Sequence, residues 1–218
     1  DLLVTIGGAS MGTGDLVKRA LDRIGFELDF WRVSIRPGSP FGFGRIPREG
    51  RPPLPVASLP GNPASAFVTF ELFVRPLLLR LAGHEDLFRP GIVAIAGDPF
   101  RRHPRLTLFP RVTLEDADAG RADAGRADAG PFRAHRVRAH LAGAQSSGLV
   151  GTLARAHGLA VLPPAASTLP AGAPLRVILL RPEWNDTPDP RWLRPLELRP
   201  LEGEPPPPAH PPLPEVPG

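Results

Sequence analysis

Hydrophobic positions in the first third of the chain switch between the period of a strand and that of a helix. "DLLVTI" is a short apolar run suited to a central strand. "DLVKRALDRIG" follows, setting Leu16, Ala20, Leu21 and Ile24 on one helical face with Gly25 as a stop, and "FELDFWRVSI" returns to a strand. This β-α-β succession continues past the turn "RPGSP" into the short strands "FGFGRI" and "PVASL", then "PGNP" and a long helix from Ala64 to Leu81. The expected architecture to about residue 84 is α/β with a parallel or mixed sheet. From about Pro90 the pattern becomes short strands divided by turn residues: "GIVAIAG", "RLTLFPRVTL", "FRAHRVRAH", "GLAVLPP" and "PLRVILL", with a turn or two of helix in "SGLVGTLARAHG". Five strands with little helix predict a small all-β barrel or sandwich over about 90–181. A boundary is expected near "GHEDLFRPG".

Two stretches carry no fold signal. "ADAGRADAGRADAG" (117–130) repeats a five-residue unit without a large apolar residue and reads as a solvated loop expansion, too short in period for a solenoid. From 183 onward the chain is proline-dense and poor in apolar residues, the composition of a disordered tail.

Composition narrows the class. The 218 residues are 42% hydrophobic, enough for one large or two small cores. The most apolar segment, Ala64 to Leu81, is interrupted by Glu71, Arg75, Pro76 and Arg80, so no membrane span is expected. With no cysteine there is no disulfide framework and no thiolate chemistry, and no secretory pattern is seen; a cytoplasmic location is expected. Lys18 is the only lysine, and the other 25 of the 26 basic residues are scattered arginines. A net charge of +4 spread in this way gives no nucleic-acid footprint. The chain opens on Asp1 already within a strand pattern, so a longer protein is expected.

Three loops and one strand hold the candidate chemistry. "GGASMGTGD" (7–15) joins a predicted strand to a predicted helix, where α/β sheets bind ligands, and its glycines let backbone N–H groups approach an anion. It matches neither the Walker loop nor the dinucleotide fingerprint. Asp15 is either an ordinary first-turn acid complementing the helix dipole or a ligand for a divalent cation. In "FWRVSIRPG" a strand period puts Arg32, Ser34 and Arg36 on one face and Val33 and Ile35 on the other; two guanidiniums about 13 Å apart at the backbone can converge on one oxyanion. The other reading is a solvated strand face. "LPGNPAS" has Asn62 as N-cap and Pro63 at the first helical position. In "AGAQSSGLVGTLARA", Ser146 and Ser147 precede a short helix. The six histidines show no metal-ligand spacing and read as surface or loop residues; no Ser-His-Asp arrangement stands out.

In order and spacing, "DLLVTIGGASMGTGDLVKRAL", "FWRVSIRPGSPFGFGR", "LPGNPASAFVTFELFVRPLL" and "QSSGLVGTLARAHGLAVLP" resemble the molybdopterin molybdenumtransferase family, MoeA in bacteria and the gephyrin E domain in animals. The resemblance runs from Asp1 to about Leu180. It implies the later part of a three-layer molybdopterin-binding α/β domain (1–84), followed by the family's C-terminal β-barrel domain (90–181). It implies molybdenum insertion into adenylated molybdopterin with release of AMP, with molybdate and adenylated molybdopterin as substrates and Mg2+ as the metal. Asp15 then matches an acidic, metal-binding position. Arg32 and Arg36 match two basic positions that bind molybdate or the dithiolene end, and Ser147 matches a serine from the barrel. Gly7, Gly8, Ser10, Gly12, Pro60, Gly61, Asn62 and Pro63 match loops that bind the pterin and its phosphate. Ser39 stands where the family usually has lysine. A homodimer, a molybdopterin adenylyltransferase partner and little activity for these residues alone are further implications. The alternatives are a molybdopterin adenylyltransferase, which lacks the barrel, and a gephyrin-like scaffold.

Overall fold

The computed structural model describes residues 1–7, 16–116, 137–146, 148 and 150–181; the repeat and the proline-rich tail lie outside them. In the first half, strands β1 (Leu3–Ile6), β2 (Glu27–Trp31), β4 (Gly42–Arg48) and β5 (Arg51–Leu59) form one sheet in the order β1-β5-β4-β2. The sheet is mixed: β1 is parallel to β5, while β4 runs antiparallel to both β5 and β2. A tight turn at Glu49 and Gly50 joins β4 to β5, with Gly50 at φ +65°, the left-handed conformation such hairpins need. β1 pairs with β5 only from Val56 on, so Pro52, Pro53 and Pro55 occupy the part of β5 flanked on one side alone, where a missing N–H is tolerated.

Helix α1 (Leu16–Arg23) lies on one face of this sheet. The face it buries differs from the expected one. Leu21 is buried and packs with Val17 on Ile46, Val56 and Phe26, whereas Leu16 and Ile24 are 75% and 55% exposed. In an eight-residue helix one i, i+4 pair suffices to meet the sheet, and here that pair is Val17 and Leu21. On the other face the long helix starts at Pro63 and is not uniform: α2 (Pro63–Thr69) passes through a π-helical turn (Phe70–Val74) into α3 (Arg75–Leu81). The Arg75 N–H reaches Phe70 O, five residues back. Pro76 supplies no N–H, and Thr69 Oγ1 donates to Ser65 O at 2.8 Å, so the ordinary ladder is disturbed on both sides of the π turn.

The second half is a closed five-stranded barrel in the order β10-β11-β6-β9-β8, formed by β6 (Gly91–Ala96), β8 (Arg111–Asp116), β9 (Val137–Leu141), β10 (Gly158–Val161) and β11 (Pro174–Leu179). The expected strand "RLTLFPRVTL" divides into β7 (Thr107–Leu108) and β8. Alternate residues fill the barrel, among them Ala94, Ala96, Val112, Leu114, Ala139, Ala160, Leu175, Val177 and Leu179. β10 and β11 are buried on both faces, which explains their nearly continuous apolar runs. From them Leu159 and Ile178 turn out of the barrel and pack with Phe109 against Ile35 and Val68 of the first half.

A short connection completes this seam. β3 (Ile35–Arg36) pairs in parallel with β7, and the Thr107 and Phe109 N–H groups donate to Ser34 O and Arg36 O at 3.0 and 2.8 Å. Helix α4 (Val150–Arg155) follows the serine-rich loop. Gly151 within it is exposed, with open space where a Cβ would stand. Gly151→Ala is therefore expected to raise stability by about 0.5–1 kcal/mol, through lower unfolded-state entropy and better helix propensity, as thermal denaturation would read.

Candidate functional site

The ends of β1 and β5 bring two of the expected loops side by side. Gly7 leaves β1 at φ +90°, its N–H donating to Leu59 O at 3.0 Å, and a Cβ on Gly61 would lie 3.5 Å from Gly7 Cα. Glycine at both positions lets the two turns touch. Pro60 is buried and Gly61 exposed. Asn62 is the extended N-cap and Pro63 the first helical residue, as the sequence predicts. The Asn62 side chain makes no cap bond, and its buried Oδ1 has no partner among the described residues. Gly8, Ser10, Gly12 and Asp15 lie outside the described residues.

The arginine segment is not the continuous strand expected from "FELDFWRVSI". β2 ends at Trp31, and Arg32 takes φ +78°, a left-handed conformation uncommon for a non-glycine residue. Bonds from Arg32 N to Phe41 O and from Val33 N to Ser39 O, both 2.9 Å, hold the chain in this shape. Alternation nevertheless survives: Arg32, Ser34 and Arg36 are exposed, Ile35 is buried, and Val33 packs inward. The Arg32 guanidinium carbon stands 4.3 Å from the centroid of the Trp31 ring, a cation–π arrangement that directs the side chain. Arg36 belongs to β3, so its backbone is tied to the barrel by the seam while its side chain remains exposed. Ser39 sits in a turn whose tip, Gly38, lies against the long helix: a Cβ there would meet Thr69 Cγ2 at 2.6 Å.

On the barrel side, Ser147 is outside the described residues, but the loop leading to it is fully held. Arg111, at the start of β8, is 1% exposed. Its Nη2 donates to Ala144 O and Ser146 O at 3.2 and 3.1 Å, and its backbone N–H donates to Gln145 Oε1 at 2.9 Å. Gln145 Nε2 returns bonds to Arg111 O and Gly143 O, and Ala142 N also donates to Arg111 O. Burial pushes the Arg111 guanidinium below the ordinary arginine value. Sequence reasoning missed this residue; its one signal is a charge set between the apolar runs "LTLF" and "VTL".

Two histidines are more than surface groups. His140 lies on β9, its ring between Asp98 and Glu115, with Nδ1 3.4 Å from Asp98 Oδ1 and Nε2 3.0 Å from Glu115 Oε1. His157 Nδ1 accepts the Leu114 N–H at 2.9 Å. Among the described residues no group of three or more histidines or acids could hold a metal ion. None of the helices there is long and apolar enough to cross a membrane.

Comparison with known proteins covers both halves. A family model described as a probable molybdopterin binding domain matches residues 1–80, and one described as the MoeA C-terminal region (domain IV) matches residues 93–180. The fold and the paired matches define an α/β unit of the probable molybdopterin binding domain type joined to a MoeA-type barrel. The chain belongs to the molybdopterin molybdenumtransferase family, that of MoeA and gephyrin. A molybdopterin molybdenumtransferase of Nostoc is 29% identical over 181 residues, 83% of this chain and 38% of that protein. Molybdopterin molybdenumtransferase 1 of Mycobacterium tuberculosis is 31% identical over 181 residues, 83% of this chain and 39% of its own length. The crystal structure of a molybdopterin biosynthesis MoeA protein from Pyrococcus horikoshii superposes with a TM-score of 0.56 at 28% identity, covering 83% of this chain and 37% of that one. The chain thus spans about two fifths of the length of these relatives.

Proposed function

We propose that this chain supplies the oxyanion-handling part of a site that inserts molybdenum from molybdate into adenylated molybdopterin and releases AMP. The observation that carries the reading is the arginine segment: two exposed guanidiniums, Arg32 and Arg36, on a backbone held from one side by Phe41 and Ser39 and from the other by the barrel. Exposed arginines on a fixed backbone suit a tetrahedral oxyanion, because the fork of donors is in place before the ligand arrives. Gly7 and the Pro60–Pro63 turn, in contact at the strand ends, offer the neighbouring surface for the pterin and its phosphate, and Gly8, Ser10 and Gly12, which follow Gly7 in sequence, are assigned the same role.

In this reading Arg32 and Arg36 neutralise and orient molybdate, and Ser147, the next residue in sequence after Ser146, contributes to the same site. Asp15 has the chemistry to take a Mg2+ ion, which would screen phosphate charge; the chain's own steps are binding, orientation and charge neutralisation. The match of the barrel half to the MoeA C-terminal region favours this reading over a molybdopterin adenylyltransferase. A homodimer and delivery of adenylated molybdopterin by an adenylyltransferase partner in the cytoplasm belong to the same proposal.

The test is molybdate-dependent AMP release from adenylated molybdopterin. Residues 1–218 alone are expected to release little. A protein of the relatives' full length containing them is expected to turn over, and to lose about tenfold or more with Arg32→Ala or Arg36→Ala, or with Asp15→Asn. Undiminished release in all three variants would overturn the assignment.

A further inference from the structure

Glu71 is a carboxylate the reaction does not use, yet its side chain is only 7% exposed. It stands in the π-helical turn and receives both arms of Arg89, Nε to Oε2 at 2.6 Å and Nη2 to Oε1 at 3.0 Å. Arg75 Nε lies 3.9 Å from the same carboxylate, and Arg75 Nη1 donates to Leu87 O at 3.1 Å. The third nitrogen of Arg89, Nη1, reaches Leu180 O at 3.4 Å, just past the last barrel strand. Beside it the Leu179 N–H donates to Pro90 O at 2.9 Å.

Three pieces of chain therefore converge on the Glu71–Arg89 pair: the long helix of the sheet half, the connector at 84–90, and Leu180 just past β11. We infer that Glu71 is a positioning residue that sets the angle of the barrel against the sheet half. Among the described residues the seam comprises the two-residue pair β3–β7, contacts between α2 and α4, and an apolar cluster around Ile35 and Phe109. Apolar packing attracts without direction, whereas a bidentate carboxylate–guanidinium pair fixes distance and plane. Such a partly buried pair contributes more to a unique geometry than to net stability. The π turn suits this use, since one inserted residue shifts the register of the side chains that follow and lets Glu71 face the connector. Resting on the function proposed above, the consequence is that Glu71 aligns Arg36 with the serine loop of the barrel without touching either.

The experiment compares amide hydrogen exchange in Glu71→Gln with the unsubstituted chain. Thr107 and Phe109, whose N–H groups cross the seam, are expected to exchange about tenfold faster. Ala96 and Ala160, bonded within the barrel to Ala173 O and Pro110 O, are expected to keep their rates. Arg89→Met should reproduce the change, and the double variant should be no worse than either single one, because both act through one contact. Unchanged Thr107 and Phe109, a uniform rise at all four amides, or additive effects would each overturn the clamp, whatever the reaction proves to be. In a full-length protein shown to release AMP, Glu71→Gln should lower kcat about tenfold and leave the KM for molybdate within about twofold. An unchanged kcat beside faster seam exchange would overturn the positioning role, while the clamp itself would stand.

Discussion

Replacing Arg111 with alanine is expected to lower the stability of the chain by about 3 kcal/mol, and more locally to release the loop that leads to Ser147. Two physical terms act together. Arg111 is among the largest fully buried side chains of the described residues, so truncation leaves a cavity that the surrounding strands close only in part. It also removes the charged donor of Ala144 O and Ser146 O; both residues are exposed, so water takes its place in part and the term is about 0.5–1.5 kcal/mol. The cost of holding a guanidinium out of water, visible in its lowered pKa, is recovered in the variant and sets the ceiling on the loss. Arg111→Lys keeps the charge but not the planar fork, and should fall between the two. Urea unfolding measures the global term. Amide exchange at Ala142, whose N–H bonds to Arg111 O, measures the local one. A loss below about 1 kcal/mol with Ala142 unchanged would show that the loop keeps its shape without the guanidinium.

Much of the fold is legible from apolar spacing alone. Strands filling the barrel show through alternation, and β10 and β11 show as nearly continuous apolar runs because each has two faces to cover. Asn62 and Pro63 mark the helix start by local chemistry. Spacing fails where one residue leaves the repeating geometry. Arg32 carries the residue type of a strand face, yet its left-handed φ ends the strand, and nothing in "DFWRVSI" marks that turn before Phe41 and Ser39 are in place to bond it. The π turn is hidden for the same reason: its register depends on Pro76 and Thr69 acting through the helix they interrupt. The candidate site shows in its arginines and glycines, residue types suited to an anion. Its supports do not, because a buried arginine and a buried glutamate look like any of the charges on a solvated surface. Glu71 even has an obvious helical partner at i+4, Arg75, but its close contact is Arg89, eighteen residues along.

Gly38→Ala should cost a similar amount for an entirely different reason, and here the damage falls on the arginine segment itself. Gly38 has φ +109°, outside the region open to L side chains, so alanine is strained before any contact is counted, at about 1 kcal/mol or more. The added Cβ would also lie 2.6 Å from Thr69 Cγ2 and 3.3 Å from Ile35 Cδ1. Thr69 is β-branched, fully buried and tied through Oγ1 to Ser65 O, so it has no free rotamer to turn into. The turn must then lift off the helix, moving Arg36 and the Ser39 carbonyl that holds Val33. Together the two terms predict a loss of about 2–4 kcal/mol in urea unfolding and, on the function proposed above, weaker molybdate binding than in the unsubstituted chain. The double variant Gly38→Ala/Thr69→Ser separates them: serine keeps the hydroxyl bonded to Ser65 O and removes the offending methyl. About half the loss should return, leaving the backbone strain. No recovery would place the whole cost in the backbone conformation, and full recovery would place it in the contact with the helix.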